Sequence, residues 1–365
     1  MKKHIKLLSS ISLFLVLSAP AFSRAAGGNE TAPALHPAAN GNSGRSANND
    51  GEVNRKKLIN KHYDVTADDK LEIENQFGNV VVSTWDKNEI TVDIEIGVKA
   101  SSEERAQEIM NEIDVKDYNS SHIISFKTKV GEIHNGKNNR GNDNDRSFYI
   151  DYVIHMPGAN RLQLENSFGR TEVPNFKGLV TLTSKFGSLN TGRLDNVDAI
   201  DVEFGKATIG EINNGKVAFK YNSESRIGRV NGDVRITSEF SDNVRFNIGN
   251  IHELTVLESY SGVRLVVEKA LSAEIDVHTS FGSFHNDSEF TIKEHKEDEG
   301  DYGPHFDKDF SGKAGDGRAR IKIKSSFGSV RLSHTDSGGN DDDDKANDKD
   351  KHKDKHRDRT DEKTS

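Results

Sequence analysis

Leu164-Glu165-Asn166-Ser167-Phe168-Gly169 and Leu182-Thr183-Ser184-Lys185-Phe186-Gly187 are two copies of one phrase, and Ile73-Glu74-Asn75-Gln76-Phe77-Gly78 is a third. Phe-Gly returns at Phe204, Phe281 and Phe327, with degenerate copies at Tyr221-Asn222, Phe240-Ser241 and Tyr260-Ser261. Between Phe168 and Phe281 the aromatic recurs every 17 to 21 residues. A period of that size is the signature of stacked repeats, each too small to bury its own apolar face.

Counting back from each aromatic defines the unit. Four residues before it stand Ile73, Leu164, Leu182, Ile200, Val217, Ile236, Val256, Val277 and Ile323, and six before it Leu71, Leu162, Val180, Val234, Leu254, Ile275 and Ile321. Alternation of this kind is a strand with one buried face; Asp198 and Gly215 interrupt the second column. Beyond the aromatic the apolar residues fall at odd offsets, as in Val80 and Val82, Leu189, Ala207 and Ile209, Val263 and Leu265, or Val330 and Leu332. A change of parity requires a corner, and the Gly after the aromatic is expected to supply its positive φ. Asn75, Asn166, Ser184, Ser238, Thr279 and Ser325, two before the aromatic, predict a polar ladder at the bend. Phe77, Phe168, Phe186, Phe204, Tyr221, Phe240, Tyr260, Phe281 and Phe327 are read as the repeat core, one buried ring stacked on the next. A row of exposed rings for stacking on sugars is the alternative, and the inward aliphatic four residues earlier argues against it.

Over about 58–334 this pattern resembles the candidate-adhesin family of bacterial cell-envelope proteins, which carry β-strand repeats. The likeness rests on the aliphatic-x-polar-x-Phe-Gly phrase and on the opening 65–85, where a strand, Phe-Gly and a second strand ending in Trp85 follow one another. It implies a β-strand repeat fold and an envelope setting, and it brings no catalytic residues.

The ends of the chain differ from its middle. Of 365 residues only 33% are hydrophobic, and these concentrate in the repeats. Residues 1–23, with Lys2, Lys3 and Lys6 before an apolar run and small residues ending in Ser23, read as an export signal peptide. The run is too short to span a bilayer, and no other stretch approaches a membrane helix. There is no cysteine, which excludes disulfides, a lipid-carrying cysteine and thiol catalysis. Residues 24–57, rich in Ala, Gly, Asn and Pro, read as a disordered linker, and 336–365, with eleven acidic and eight basic side chains, as a disordered charged tail. The net charge of −9 argues against a nucleic-acid partner.

Elements at about 86–157 are expected to cap the first repeat. Ile90, Val92, Ile94, Ile96 and Val98 alternate as a strand. Ser101 and Glu104 suggest a capping box for one helix with Ala106, Ile109, Met110 and Ile113 on its apolar face, and strands follow at about 121–129 and 147–156. A charged insertion, 287–318, separates the run of repeats from a last one at 321–332.

Candidate chemistry is sparse. Asp307, Asp309, Ser311 and Gly312 match the first half of a calcium loop, yet the twelfth position is Arg318 rather than Glu. Glu294, His295, Glu297, Asp298, Glu299, Asp301 and His305 could gather a divalent ion, although such a run is commonly a solvated loop. Glu165, Asp201 and Glu203 face outward; at about 4.8 Å per rung, Glu165 and Asp201 would be roughly 10 Å apart, near the separation in inverting glycosidases. Their neighbours Thr181, Thr183, Lys185 and Lys220 argue for solvated, ordinary carboxylates.

The sequence therefore predicts an all-β protein: a single-stack β-solenoid, parallel β-helix-like, over 58–335, with an N-terminal cap of strands and one helix. Its expected function is non-enzymatic, with no cofactor or metal. It would be an exported envelope protein, in the periplasm, on the outer surface or outside the cell, that binds an envelope glycan or protein or scaffolds through the repeat face. The alternatives are a β-helix enzyme acting on polysaccharide and a periplasmic sensor or assembly partner.

Overall fold

The computed structural model describes residues 52–133, 147–295 and 306–334, all within one compact unit, Asn49–Ser365. The segments read from the sequence as an export signal (1–23), a linker (up to residue 51), a polar loop (134–146), part of the charged insertion (296–305) and a tail (from 335) lie outside the described residues.

The described chain is all-β with one helix among its described residues. It begins with β1 (Val53–Asp64), β2 (Lys70–Gln76), β3 (Val80–Trp85), β4 (Glu89–Ala100), α1 (Glu103–Asn111), β5 (Ile113–Ser120), β6 (Ile123–Val130) and β7 (Ser147–Pro157). Repeats follow as β8 (Arg161–Ser167), β9 (Arg170–Val173), β10 (Phe176–Lys185), β11 (Ser188–Glu203), β12 (Lys206–Lys220), β13 (Glu224–Glu239), β14 (Val244–Ser259), β15 (Gly262–Val266), β16 (Ala273–Ser280) and β17 (Ser283–Asp287). The last elements are β18 (Ile292–His295), β19 (Asp307–Ala314), β20 (Ala319–Ser326) and β21 (Ser329–Ser333). All 21 strands belong to one hydrogen-bonded sheet.

Parallel, in-register pairing joins each unit to the next: β2 to β8, β8 to β10, and then β10 through β14 in succession. Every residue of the two aliphatic columns is buried, and so are the apolar residues that resume after the corner. Where Asp198 breaks a column, a register shift in β11 brings Val197 inward instead.

The corner works differently from the expectation. Glycine does not carry the positive φ; the aromatic does, in all nine units, with φ between 48° and 62°. For a bulky side chain this left-handed region costs about 1–2 kcal/mol. Its effect is to throw the ring outward at a position where alternation from the two preceding columns points inward. The rings are thus not core: from Phe168 to Phe327 they are 47–53% exposed, and Phe77 is half-buried. The following glycine is needed for another reason. A Cβ on Gly187 would overlap the carbonyl oxygen of Gly169, one on Gly169 that of Gly78, and one on Gly205 that of Gly187. Neighbouring corners are in backbone contact there. Where the glycine is replaced, a side chain bonds to the adjacent corner: Asn222 Oδ1 accepts from Gly205 N (3.0 Å), Ser241 Oγ from Asn222 N (3.0 Å) and Ser261 Oγ from Ser241 N (3.0 Å).

Both ends of the stack are covered, as exposed sheet edges require. At the N-terminal end β6 pairs with β2 and β5 with β6, while β7 pairs with β3, β4 antiparallel with β7, and β1 with β4. Helix α1 starts one residue later than its sequence signal, with Ser102 rather than Ser101 accepting from Arg105 N (3.2 Å), and Ile113 opens β5 instead of continuing the helix. Strand β1 takes in residues 53–57, assigned to the linker from composition; it is an outer strand whose Arg55, Lys56 and Lys57 hid its weak alternation.

At the other end the units leave chain order. β20 lies between β14 and β16, and β21 between β15 and β17, so the last repeat in sequence is inserted before the unit of Phe281. The outer edge of β16 is then closed by antiparallel β19, with β18 beyond it. The charged insertion 287–318 thus supplies the C-terminal cover.

Gly187→Ala should lower stability by about 3 kcal/mol, the upper end of overpacking costs, because the clashing partner is backbone and cannot rotate away. Gly262→Ala, with nothing within 4 Å of its added Cβ, should be neutral or gain up to about 1 kcal/mol. Urea midpoints of the two variants check the contrast.

Candidate functional site

The outward-thrown rings form the dominant surface feature. Phe77, Phe168, Phe186, Phe204, Tyr221, Phe240, Tyr260, Phe327, Phe281 and Phe306 follow one another at centroid distances of 4.5–5.2 Å, with planes within 6° of parallel except the last pair, at 16°. Phe148 meets Phe77 edge-on at 5.2 Å. The backbone fixes this line, since the N–H of each of the nine corner rings donates to the neighbouring unit, as in Phe186 N to Glu203 O (3.0 Å) and Tyr260 N to Ser326 O (3.0 Å), and Phe306 O accepts from Phe281 N. Ring faces are occupied by other rings, so the ridge offers edges to solvent. A sugar cannot stack on the faces of its interior members, and neither sequence reading of the aromatic column holds in full.

Beside the ridge, the residues immediately preceding the rings make a row in register: Ser167, Lys185, Glu203, Lys220, Glu239 and Ser259. One row further lie Glu165, Thr183 and Asp201. Glu165 and Asp201 are two rungs apart, as the spacing predicted. Glu165 pairs with Lys185 (3.1 Å), and this hydrogen bond holds the lysine above its ordinary pKa. Asp201 is not the ordinary solvated carboxylate expected: burial pushes its pKa up, opposed by Lys220 and Lys185 and reinforced by Glu203.

The polar column under the ridge is buried as expected but, among the described residues, is hydrogen-bonded only toward its two ends, and it has an unforeseen member. Asn75 Nδ2 donates to Ile150 O (3.0 Å) and Asn166 Oδ1 (3.1 Å), and Asn166 Nδ2 donates to Gly78 O (3.0 Å). Ser184, Ser238 and Thr279 are buried with hydroxyls that find no partner among the described residues. At the same offset before Tyr260 stands Glu258, only 4% exposed. Its carboxylate accepts from Ser261 N (2.6 Å) and from the Ser325 hydroxyl, and burial outweighs these bonds and raises its pKa. Counting two back from Tyr260 would have found it.

The proposed calcium half-loop is a strand. Asp307, Asp309, Ser311 and Gly312 lie on β19, where Asp309 bonds His278 (2.9 Å) and Asp307 bonds Ser280 (2.6 Å), so their spacing follows the pleat and cannot wrap an ion. Glu294 and His295 are on β18; Glu297, Asp298, Glu299, Asp301 and His305 lie outside the described residues. His62, Asp64 and Glu89, where β1 meets β4, place one ligand atom each within 4.8 Å of one another, and sequence reading missed this because the pairing of Asp64 with Glu89 is tertiary. A cleft of about 400 Å³ near the other end is lined by Arg229, His252, Glu268 and Arg318, with Arg229 and Glu268 paired at 3.3 Å.

Replacing an interior ring removes two stacked neighbours, each pair worth about 0.5–1.5 kcal/mol. Phe204→Ala and Phe327→Ala should therefore each cost about 1–3 kcal/mol, and Phe306→Ala about half as much, although Phe327 is the later ring in sequence than Phe306; denaturant melts rank them. Glu258 provides a pH test. Its raised folded-state pKa means the folded protein holds a proton more tightly than the unfolded chain, so the associated stability is full below the ordinary value of 4.5 and is lost as pH rises through the raised one. Glu258→Gln should gain on the wild type as pH climbs above 4.5 and then hold a constant advantage. A pH-independent difference in melting would contradict this sign.

No family model matches the sequence, and no curated protein matches it. Among solved structures, a candidate adhesin from Bacteroides fragilis NCTC 9343 is similar at 11% identity and TM-score 0.39, covering 76% of this chain and 97% of that one. A candidate cell adhesion protein from Clostridium sporogenes ATCC 15579 has 13% identity and TM-score 0.19 over 76% and 99% of the two chains. A candidate lipid binding protein from Parabacteroides distasonis ATCC 8503 has 10% identity and TM-score 0.29 over 78% and 97%.

Proposed function

We propose that the chain is a non-enzymatic envelope or surface protein whose repeats wind as a β-solenoid, and that it binds or scaffolds through the aromatic ridge. The observation that carries this reading is the ridge itself: ten aligned rings, most about half exposed, over nine rung spacings of about 4.8 Å. Soluble monomers rarely expose so extended an apolar line without a partner for it. Ring edges flanked by the alternating charges of Lys185, Glu203, Lys220 and Glu239 suit an elongated partner, an envelope glycan or protein, that lies along the stack. No helix among the described residues is long and apolar enough to cross a membrane. An exported location rests on the charged and apolar pattern of residues 1–23.

One observation favours a second reading. Asp201, whose pKa is raised by burial, stands two rungs from Glu165, two outward carboxyls at a separation near that used by inverting glycosidases.

Asparagine tolerates positive φ, so Phe186→Asn combined with Phe204→Asn should remove the rings while keeping the corner. Glycan arrays and pull-downs from envelope fractions should show capture by the wild type and at least a tenfold loss in this folded variant; undiminished capture would remove the ridge from the binding surface. Glycan depolymerisation by the wild type, abolished in Asp201→Asn, would instead establish the enzymatic reading.

A further inference from the structure

We infer that His62, Asp64 and Glu89 form a binding site for a divalent transition-metal ion of the zinc class on the outer face of the N-terminal cover. His62 and Asp64 are two residues apart on β1 and so share one face of the strand. Glu89 opens β4 and stands directly opposite Asp64 in the antiparallel register. Val65 and Ile90, one position further along, are buried, so by alternation the three side chains project outward; His62 and Asp64 are exposed and Glu89 is half-buried. One ligand atom from each residue lies within 4.8 Å of the other two.

Charge does not balance at this end of the β1–β4 ribbon. Further along it the register sets donors beside carboxylates: Lys56 pairs with Glu95 (2.6 Å), and Asn60 Nδ2 donates to Asp93 (2.6 Å). At Asp64 and Glu89 a carboxylate faces a carboxylate, an arrangement that destabilises an antiparallel pair. Among the described residues neither is paired with a lysine or arginine, and Asp64 has only His62 Nε2 beside it, at 3.7 Å. A cation held between the three removes the repulsion and ties the outer strand β1 to β4.

The donor set selects the ion. One imidazole nitrogen with two carboxylate oxygens suits zinc and its transition-metal neighbours, whereas calcium and magnesium take oxygen ligands. Bonds of about 2.0–2.2 Å in tetrahedral geometry separate ligand atoms by roughly 3.3–3.6 Å. His62 Nε2 and Asp64 Oδ1, at 3.7 Å, already stand close to that separation, and a small rotation of Glu89 completes the set. Three protein ligands leave a fourth position open to water. None of the three residues belongs to the ridge, so the site is independent of what the ridge binds.

The test is calorimetric titration of the full-length protein with Zn²⁺, with Ca²⁺ as the competing hard cation. Other histidines of the chain can also take up zinc, so the readout is the difference between variants. His62→Ala and Glu89→Gln should each remove one equivalent of zinc or weaken its binding at least tenfold. His252→Ala, which removes a histidine placed 3.8 Å from Asp233 with no third ligand beside them, should leave that equivalent in place. Glu89→Lys should supply the missing positive charge itself, losing the zinc equivalent while melting no lower than the metal-free wild type. Trp85, the single tryptophan of the chain, reports the location: its indole N–H donates to Glu89 O (2.8 Å), so Cu²⁺ at the site should quench its fluorescence in the wild type and not in His62→Ala. Unchanged zinc stoichiometry and affinity in His62→Ala and Glu89→Gln, equal quenching in both proteins, or displacement of zinc by equimolar Ca²⁺ would overturn the assignment.

Discussion

The close approach of one corner to the next governs this structure. Each Phe-Gly or its equivalent turns the chain by placing an aromatic residue in the left-handed region, and at Gly78, Gly169, Gly187 and Gly205 the residue after it lies against the backbone of a neighbouring strand or corner, while Gly328 lies against the Glu258 carboxylate. The strain of about 1–2 kcal/mol per left-handed aromatic is of the same size as the contribution from two stacked ring neighbours. Stacking and corner therefore stabilise each other. A ring alone would not hold the conformation, and the conformation alone would leave an apolar side chain in water.

That coupling explains the conservative composition inside the corners. Glycine occupies the contact where backbone meets backbone, and the exceptions are small polar residues whose oxygens cap an N–H of the preceding corner. Glu258 extends the same solution to a place where the chain leaves its sequence order. It sits at the junction of β14 with β20, where its carboxylate serves both Ser261 and Ser325. The inserted final repeat is thereby fastened to its neighbour by a buried acid.

Two lines of side chains emerge from one register. Because pairing is parallel and in step, whatever stands at a given offset from the corner is repeated as a line along the stack. The ridge is the line at the corner, and the row that includes Lys185, Glu203, Lys220 and Glu239 is the line just before it. The covers at either end, β1 with β4 through β7 and then β18 with β19, close edges that would otherwise recruit further strands.

The aliphatic columns were legible in the sequence because burial on one face of a strand is a local, period-two property, and the structure buries every residue those columns named. The corner was legible as a change of parity, and so was the helix with buried Ala106, Ile109 and Met110, to within one residue at its start. The direction of the rings was not. Alternation carries no information about the sign of φ, and at Phe186 or Phe204 that sign alone decides between core and surface. Nor could sequence order reveal that Phe327 lies between Tyr260 and Phe281, because strand pairing between distant segments sets the order of the stack. His62, Asp64 and Glu89 were visible singly, but only the antiparallel pairing of β1 with β4 makes them adjacent, since β2 and β3 intervene in the chain and no local pattern encodes that pairing.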